Sequence, residues 1–232
     1  MIGILLICTG KYDQFVEPLL NSMDQNFLPG HKKQYYLFTD KDHIDDRAQH
    51  FKIERKGFPG DTLYRFHHFL SIKEKLLKET SVLYYSDVDM LCVDKIGSEI
   101  LPNSFKSLVG VAHPGFFMKN LGTPEDNAIS TAYISPSEYR PCYWAGGFSG
   151  GETKAYLDLA SQIKASIDKD DINRHIAKWH DESHLNRYFT SNIDIVKTLN
   201  PSYCFSKNFC LGNPYIVPRL VALDKDHESV RS

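Results

Sequence analysis

The chain opens on Ile2-Gly3-Ile4-Leu5-Leu6-Ile7-Cys8, an apolar run without a polar break that stops at Thr9-Gly10. A strand with one face in water alternates apolar and polar residues, so this run predicts a strand buried on both faces and closed by a tight turn. Such a strand needs helices above and below it, which confines the fold to layered α/β arrangements around a largely parallel sheet. The pattern recurs. Tyr35 to Thr39 is a second apolar stretch, ending at Asp40, and Val82-Leu83-Tyr84-Tyr85 is a third that delivers Ser86-Asp87-Val88-Asp89 at its carboxyl end. Between them, residues 61–79 carry Leu63, Phe66, Phe69, Leu70, Leu76 and Leu77 at helical spacing, capped by Asp61 or Thr62. A helix is also expected after Asp13, kinked at Pro18. Further strands are expected at 108–112 and 130–134, a Gly-rich turn region at 142–151, and helices at 153–167 and 172–189. Strand–helix alternation of this kind places ligands beyond the carboxyl ends of the strands.

With 232 residues, 42% of them hydrophobic, the chain can bury a sizeable core, and residues 1–232 are read as a single catalytic domain. A formal charge of −2, with both signs spread along the length, offers no basic footprint and excludes nucleic acid as the expected partner. Five cysteines at 8, 92, 142, 204 and 210 form no CxxC pair, and an odd number fits a reducing compartment, so a cytoplasmic location is expected. The apolar opening lacks a basic n-region and is too short for a bilayer, so no membrane span is expected.

Asp87 and Asp89 stand where a strand runs out into a cleft. Hard divalent cations take oxygen ligands and keep waters and substrate phosphates in their shell, so two carboxylates suffice to hold a metal–diphosphate unit. The same tripeptide also suits two solvated aspartates in a turn. A phosphatase of the phospho-aspartyl class uses Asp-x-Asp as well, but on its first strand, whereas this pair lies mid-chain. Farther on, Lys178-Trp179-His180-Asp181-Glu182-Ser183-His184 crowds titratable groups beside an indole. Trp179 and Glu182, three apart, share one face of the predicted helix, and a buried carboxylate beside an aromatic plate suits a nucleophile or a stabiliser of an oxocarbenium-like centre. His180 and His184 are four apart, but the Glu does not stand where H-E-x-x-H zinc sites need it, so both are read as packed or capping side chains.

The stretch Trp179-His180-Asp181-Glu182-Ser183-His184-Leu185-Asn186 resembles the retaining family-six glycosyltransferases, the group of the histo-blood-group A and B enzymes, the α-1,3-galactosyltransferase and their bacterial relatives. Cys8-Thr9-Gly10-Lys11-Tyr12, Asp87-Val88-Asp89, His113-Pro114-Gly115-Phe116 and Gly146-Gly147-Phe148-Ser149-Gly150-Gly151 match further motifs in the same order. The resemblance implies an α/β GT-A glycosyltransferase fold with a mostly parallel, Rossmann-like central sheet flanked by helices. It also implies a UDP-sugar donor, a Mn²⁺ or Mg²⁺ ion, and an oligosaccharide or glycoside acceptor. The N-terminal half would bind nucleotide and the C-terminal half acceptor.

Carried over by position, Tyr12 would stack on uracil in a pocket lined by Ile7, Cys8 and Thr9, and Arg65 would secure the donor. Asp87 and Asp89 would hold the metal, Asp87 together with Val88 also meeting the donor. Ala145, Gly146 and Gly147 would face the donor sugar, a glycine at 147 leaving room for the acetamido group of N-acetylgalactosamine. Asp181 would bind the donor sugar, Glu182 would be the catalytic acid facing its anomeric carbon and the acceptor, and His113 and Trp179 would contact the acceptor. Lys225 and Arg231 would meet the diphosphate. The chain departs from the vertebrate pattern in lacking the Phe-Thr-Tyr-Glu-Arg-Arg stretch within 117–129, and in carrying Phe205-Ser206 where Trp-Asp stands. The reaction implied is α-1,3 transfer of N-acetylgalactosamine or galactose from a UDP-sugar to a galactoside. The alternatives are a non-catalytic sugar-binding module and a GT-A transferase of another donor class.

Overall fold

The computed structural model describes residues 1–226 and 229–230, so Arg231 and His227 lie outside the described residues. Nine strands are formed among them: β1 (Ile2–Cys8), β2 (Lys33–Thr39), β3 (Ala48–Lys52), β4 (Val82–Ser86), β5 (Met90–Cys92), β6 (Leu108–Ala112), β7 (Trp144–Glu152), β8 (Val196–Leu199) and β9 (Leu220–Ala222). Seven of them make one sheet in the order β3-β2-β1-β4-β7-β6-β8. Within it β7 alone runs antiparallel to both its neighbours, and every other pairing is parallel. β5 and β9 form a separate antiparallel pair. The principal helices are α1 (Val16–Asn26), α2 (Gly60–Leu63), α3 (Arg65–Ser71), α4 (Lys73–Glu79), α5 (Thr153–Ile172), α6 (His180–Ser191) and α7 (Lys207–Cys210).

The opening run behaves as its composition dictates. Along β1, Ile4, Leu6 and Cys8 pack toward Val16, Leu19, Leu20 and Met23 of α1. Leu5 points the other way, toward Phe66, Phe69, Tyr156, Leu185 and Phe189 of α3, α5 and α6. The sheet is thus buried on both faces, the α/β layering expected of a GT-A fold. Each such Leu or Phe contributes roughly 1.5–3 kcal/mol of transfer free energy.

Five expectations are corrected. The single helix over 61–79 is three short ones, broken at Tyr64 and Ile72, whose backbones leave helical geometry at ψ 14 and 24. No Gly or Pro marks these breaks, so spacing could not locate them. Residues 130–134 form no strand, because other acceptors take the N–H groups a ladder would use: the Asp170 carboxylate accepts from Thr131 at 2.7 Å, and the Glu125 carbonyl from Ile134 at 3.0 Å. The Gly-rich stretch is not a turn but most of β7. Its glycines reflect close packing, since a Cβ on Gly150 would lie 2.3 Å from the Tyr84 ring. The helix expected from 172 begins at His180, after Arg174 turns the chain at φ 54. Pro18 does not interrupt α1 but falls in its first turn, where its missing N–H costs no helical bond.

Candidate active site

β1 and β4 end on the same edge of the sheet, and the antiparallel β7 begins there. A cleft opens at this edge, lined by Ile7, Thr9 and Tyr12 from β1 and the turn after it, and by Asp87, Val88 and Asp89 beyond β4. Strand alternation turns Cys8 away: it is buried in the core against α1 and does not line the cleft. The turn is fixed by acids. Gly10 donates its N–H to Asp40 at 3.0 Å, and Thr9 its hydroxyl to Asp61 at 2.9 Å, so Asp61 braces the cleft instead of capping a helix. Arg55, Phe58 and Tyr85 also line it, with no motif in the sequence to single them out, and so do Asp61 and Thr62, which the sequence offered only as helix caps.

The tail returns through β9, where Leu223 donates its N–H to the Asp89 carbonyl at 2.9 Å. Lys225 is thereby brought into an ion pair with the Asp89 carboxylate, with its ammonium 5.3 Å from the centre of the Tyr12 ring. Asp87 accepts a short hydrogen bond from the Tyr85 hydroxyl, and its backbone N–H reaches the Gly147 carbonyl at 2.9 Å.

Behind the cleft, α3 presents Arg65, buried at 5% exposure. Its guanidinium pairs with Asp181 at 2.9 Å, donates to the Gly146 carbonyl at 2.9 Å and lies 3.8 Å from Asp87. The Tyr85 ring stacks beneath it at 4.2 Å. One buried cation therefore ties the acid at the end of β4 to the acid at the start of α6. Arg65 does not line the open cleft; it organises the groups that do.

Glu182 accepts the Gly146 N–H at 2.7 Å. The two glycines divide the acids between them. A Cβ on Gly146 would meet Glu182 at 3.2 Å, and one on Gly147 would meet Asp87 at 3.0 Å and the Cys204 sulfur at 3.2 Å. Ala145, one residue earlier, is buried in the core. Burial pushes the Glu182 carboxyl up to about 7, the Gly146 N–H drawing it part of the way back. Burial likewise raises Asp181 to about 6, against the pull of Arg65.

Asn186 has a role that its residue type did not announce. Its side chain accepts the Trp144 N–H and donates to the Trp144 carbonyl, both at 2.8 Å, and so clamps α6 to β7. Trp179 precedes α6 and does not share a helical face with Glu182. Its indole is 46% exposed and donates to Thr123 at 2.9 Å. His180 comes next with φ 51 and packs edge-on to Phe58. His184 is buried beside Asp170 and lines neither cavity. His113, pushed down to about 4 by burial, accepts the Gly115 N–H at 3.1 Å. With Phe116, Tyr143 and Asn200 it lines a second cavity of about 400 Å³.

No cluster of three or more His, Cys, Asp or Glu side chains suited to a metal ion occurs among the described residues. Asp87 and Asp89 remain a pair of hard oxygen donors, which fits a cation whose other ligands come from a diphosphate and water. No helix among the described residues is long and apolar enough to cross a membrane.

The profile of glycosyltransferase family 6 matches residues 63–232. Histo-blood group ABO system transferase 1 of Rattus norvegicus is 32% identical over 246 residues, covering 100% of this chain and 68% of that protein. The O-antigen biosynthesis glycosyltransferase WbnI of Escherichia coli is 30% identical, covering 99% of this chain and 97% of its own length. Globoside alpha-1,3-N-acetylgalactosaminyltransferase 1 of Gallus gallus is 27% identical, covering 100% of this chain and 69% of that protein.

Proposed function

Since the chain belongs to glycosyltransferase family 6, we propose that it moves N-acetylgalactosamine or galactose from a UDP-sugar to a galactoside, forming an α-1,3 linkage with retention at the anomeric carbon. The observation that carries this reading is the adjacency of Gly146 and Gly147. Through them, Glu182 at the start of α6 and Asp87 beyond the end of β4 are held against one short stretch of backbone, joined from behind by Arg65.

The Tyr12 ring beside Ile7 and Thr9 offers a flat platform for the uracil. Asp87 and Asp89 would hold a Mn²⁺- or Mg²⁺-type ion on the donor diphosphate, and when bound such an ion neutralises charge on the leaving group. Lys225 brings a fixed positive charge to the same end of the cleft. In the reaction the bond from the anomeric carbon to the β-phosphate oxygen breaks with its electron pair going to that oxygen. The acceptor hydroxyl oxygen bonds to the carbon and gives its proton to the departing β-phosphate oxygen. Ionised Glu182, held by the Gly146 N–H, stabilises the positive charge that develops between the two events. Asp181, locked by Arg65, is poised to accept a donor-sugar hydroxyl. Trp179 and His113 supply apolar and edge contacts for a neutral acceptor. The whole chain acts as one catalytic domain, and its five free thiols support a cytoplasmic setting.

UDP release is to be measured from UDP-N-acetylgalactosamine and UDP-galactose against fucosylated and plain galactosides, with and without Mn²⁺, and the product anomer read by NMR. An α-linked product is expected. A β-linked product, or no acceptor-dependent UDP release with either donor, refutes the proposal.

A further inference from the structure

Glu125 belongs to no element that lines the cleft, yet it is 2% exposed and each of its carboxylate oxygens accepts a backbone N–H. One oxygen accepts the Asn127 N–H at 2.8 Å, the other the Lys178 N–H at 2.6 Å. His175 approaches at 3.9 Å, too far for a hydrogen bond, so the two N–H groups carry the compensation that a buried carboxylate requires. The Asn127 bond closes Glu125's own loop, whereas the Lys178 bond reaches across 53 positions to the approach to α6.

Immediately after Lys178 the chain makes a constrained turn. Trp179 donates its N–H to the Ser183 hydroxyl at 2.9 Å and its indole N–H to Thr123. His180 then adopts φ 51, a left-handed conformation that a non-glycine residue keeps only where its surroundings hold it. Glu182, Asp181 and Asn186 have separate anchors on Gly146, Arg65 and Trp144. The Trp179 indole has no such anchor on the sheet; it hangs between Thr123 and the backbone that Glu125 grips.

We propose that Glu125 is a positioning residue for the acceptor: by holding the Lys178 N–H it keeps the Trp179–His180 turn in place and so fixes the indole against which the acceptor sugar packs. This rests on the reading of the chain as a transferase. Glutamine at 125 offers one acceptor oxygen to two N–H groups, so it satisfies one and sets its amide against the other. The neighbouring ion pair of Lys178 with Asp126 is a useful contrast, because Asp126 is exposed and such pairs contribute little.

The test compares wild type with Glu125→Gln, Glu125→Ala and Asp126→Asn in three assays: UDP-sugar hydrolysis without acceptor, transfer kinetics as a function of acceptor, and acrylamide quenching of tryptophan emission. The chain has two tryptophans, and Trp144 is fully buried, so quenching reports Trp179. The acceptor KM is expected to rise about tenfold in Glu125→Gln and further in Glu125→Ala. Quenching should change in both, hydrolysis should stay at the wild-type rate, and Asp126→Asn should match wild type throughout. A Glu125→Gln variant with wild-type acceptor KM and wild-type quenching overturns the proposal. So does a parallel loss of hydrolysis and transfer, which would make Glu125 a support of the fold alone. If wild type neither hydrolyses a UDP-sugar nor transfers from it, the transferase reading fails, and the quenching comparison still decides whether Glu125 holds the turn.

Discussion

Replacing Glu182 by glutamine should make the protein more stable and far less active, and burial sets the size of the first effect. The carboxyl titrates near 7 in the folded chain, against 4.5 for a solvated glutamate. Between those values the folded state binds more protons than the unfolded one, so the contribution of this group to stability falls as pH rises through the window. Ionising it in place costs roughly 3 kcal/mol by pH 8. Glutamine stays neutral and still offers an oxygen to the Gly146 N–H. Glu182→Gln is therefore expected to gain up to about 3 kcal/mol at pH 8, roughly 6–12 °C in Tm for a chain of this size, with the gain fading toward pH 4.5. Transfer should drop by about two orders of magnitude or more while UDP affinity is unchanged, because the lost group acts on the transition state. Thermal melts at pH 5, 6.5 and 8, beside transfer assays, measure both. A gain of equal size at every pH, or a variant that transfers at the wild-type rate, would refute the argument.

Three further outcomes are expected. Arg65→Met leaves buried Asp181 without its 2.9 Å partner and should destabilise the chain by about 3–5 kcal/mol, read by urea denaturation. Gly147→Ala puts a methyl 3.0 Å from Asp87 and 3.2 Å from Cys204, so kcat/KM should fall more for UDP-N-acetylgalactosamine than for UDP-galactose; equal falls would show that the site at 147 does not sense the acetamido group. Lys225→Ala removes the ammonium paired with Asp89 and should lower the Mn²⁺ concentration giving half-maximal activity while weakening UDP binding, as titrations of each would register.

Much of this architecture could be read from residue order because burial leaves a direct trace. An apolar run without alternation needs two covered faces, and β1, β2 and β4 have them. The acids after β4 were visible at a strand end, and those of α6 as residue types crowded beside an indole, although inside a helix expected to start at 172. Features set by a single distant partner left no such trace. Nothing near Ile72 or Tyr64 announces the breaks that put Arg65 at the head of α3. Nothing near Ser130 reveals that Asp170 takes its hydroxyl and the Thr131 N–H, which removes the strand expected there. The resemblance placed Cys8 with Ile7 and Thr9 in the uracil pocket, but period-two alternation sends neighbours to opposite faces.

The largest misreading, the glycine-rich turn that is a strand, also explains how the site is assembled. Because β7 runs against β4, its first residues lie beside the last residues of β4: Ser86 pairs with Phe148, and the next step along brings Asp87 to Gly147. A parallel strand in this place would bring its carboxyl end to the cleft instead. The antiparallel start exposes the carbonyl of Gly146 to Arg65 and its N–H to Glu182, while the missing side chains let two acids approach one backbone from different elements. A Cβ at 146 would sit 3.2 Å from the Glu182 carboxylate and make that side chain give by a few tenths of an ångström. The glycines thus serve packing against Tyr84 at one end of β7 and acid placement at the other, which is why composition alone suggested a flexible turn where the fold needs a rigid strand.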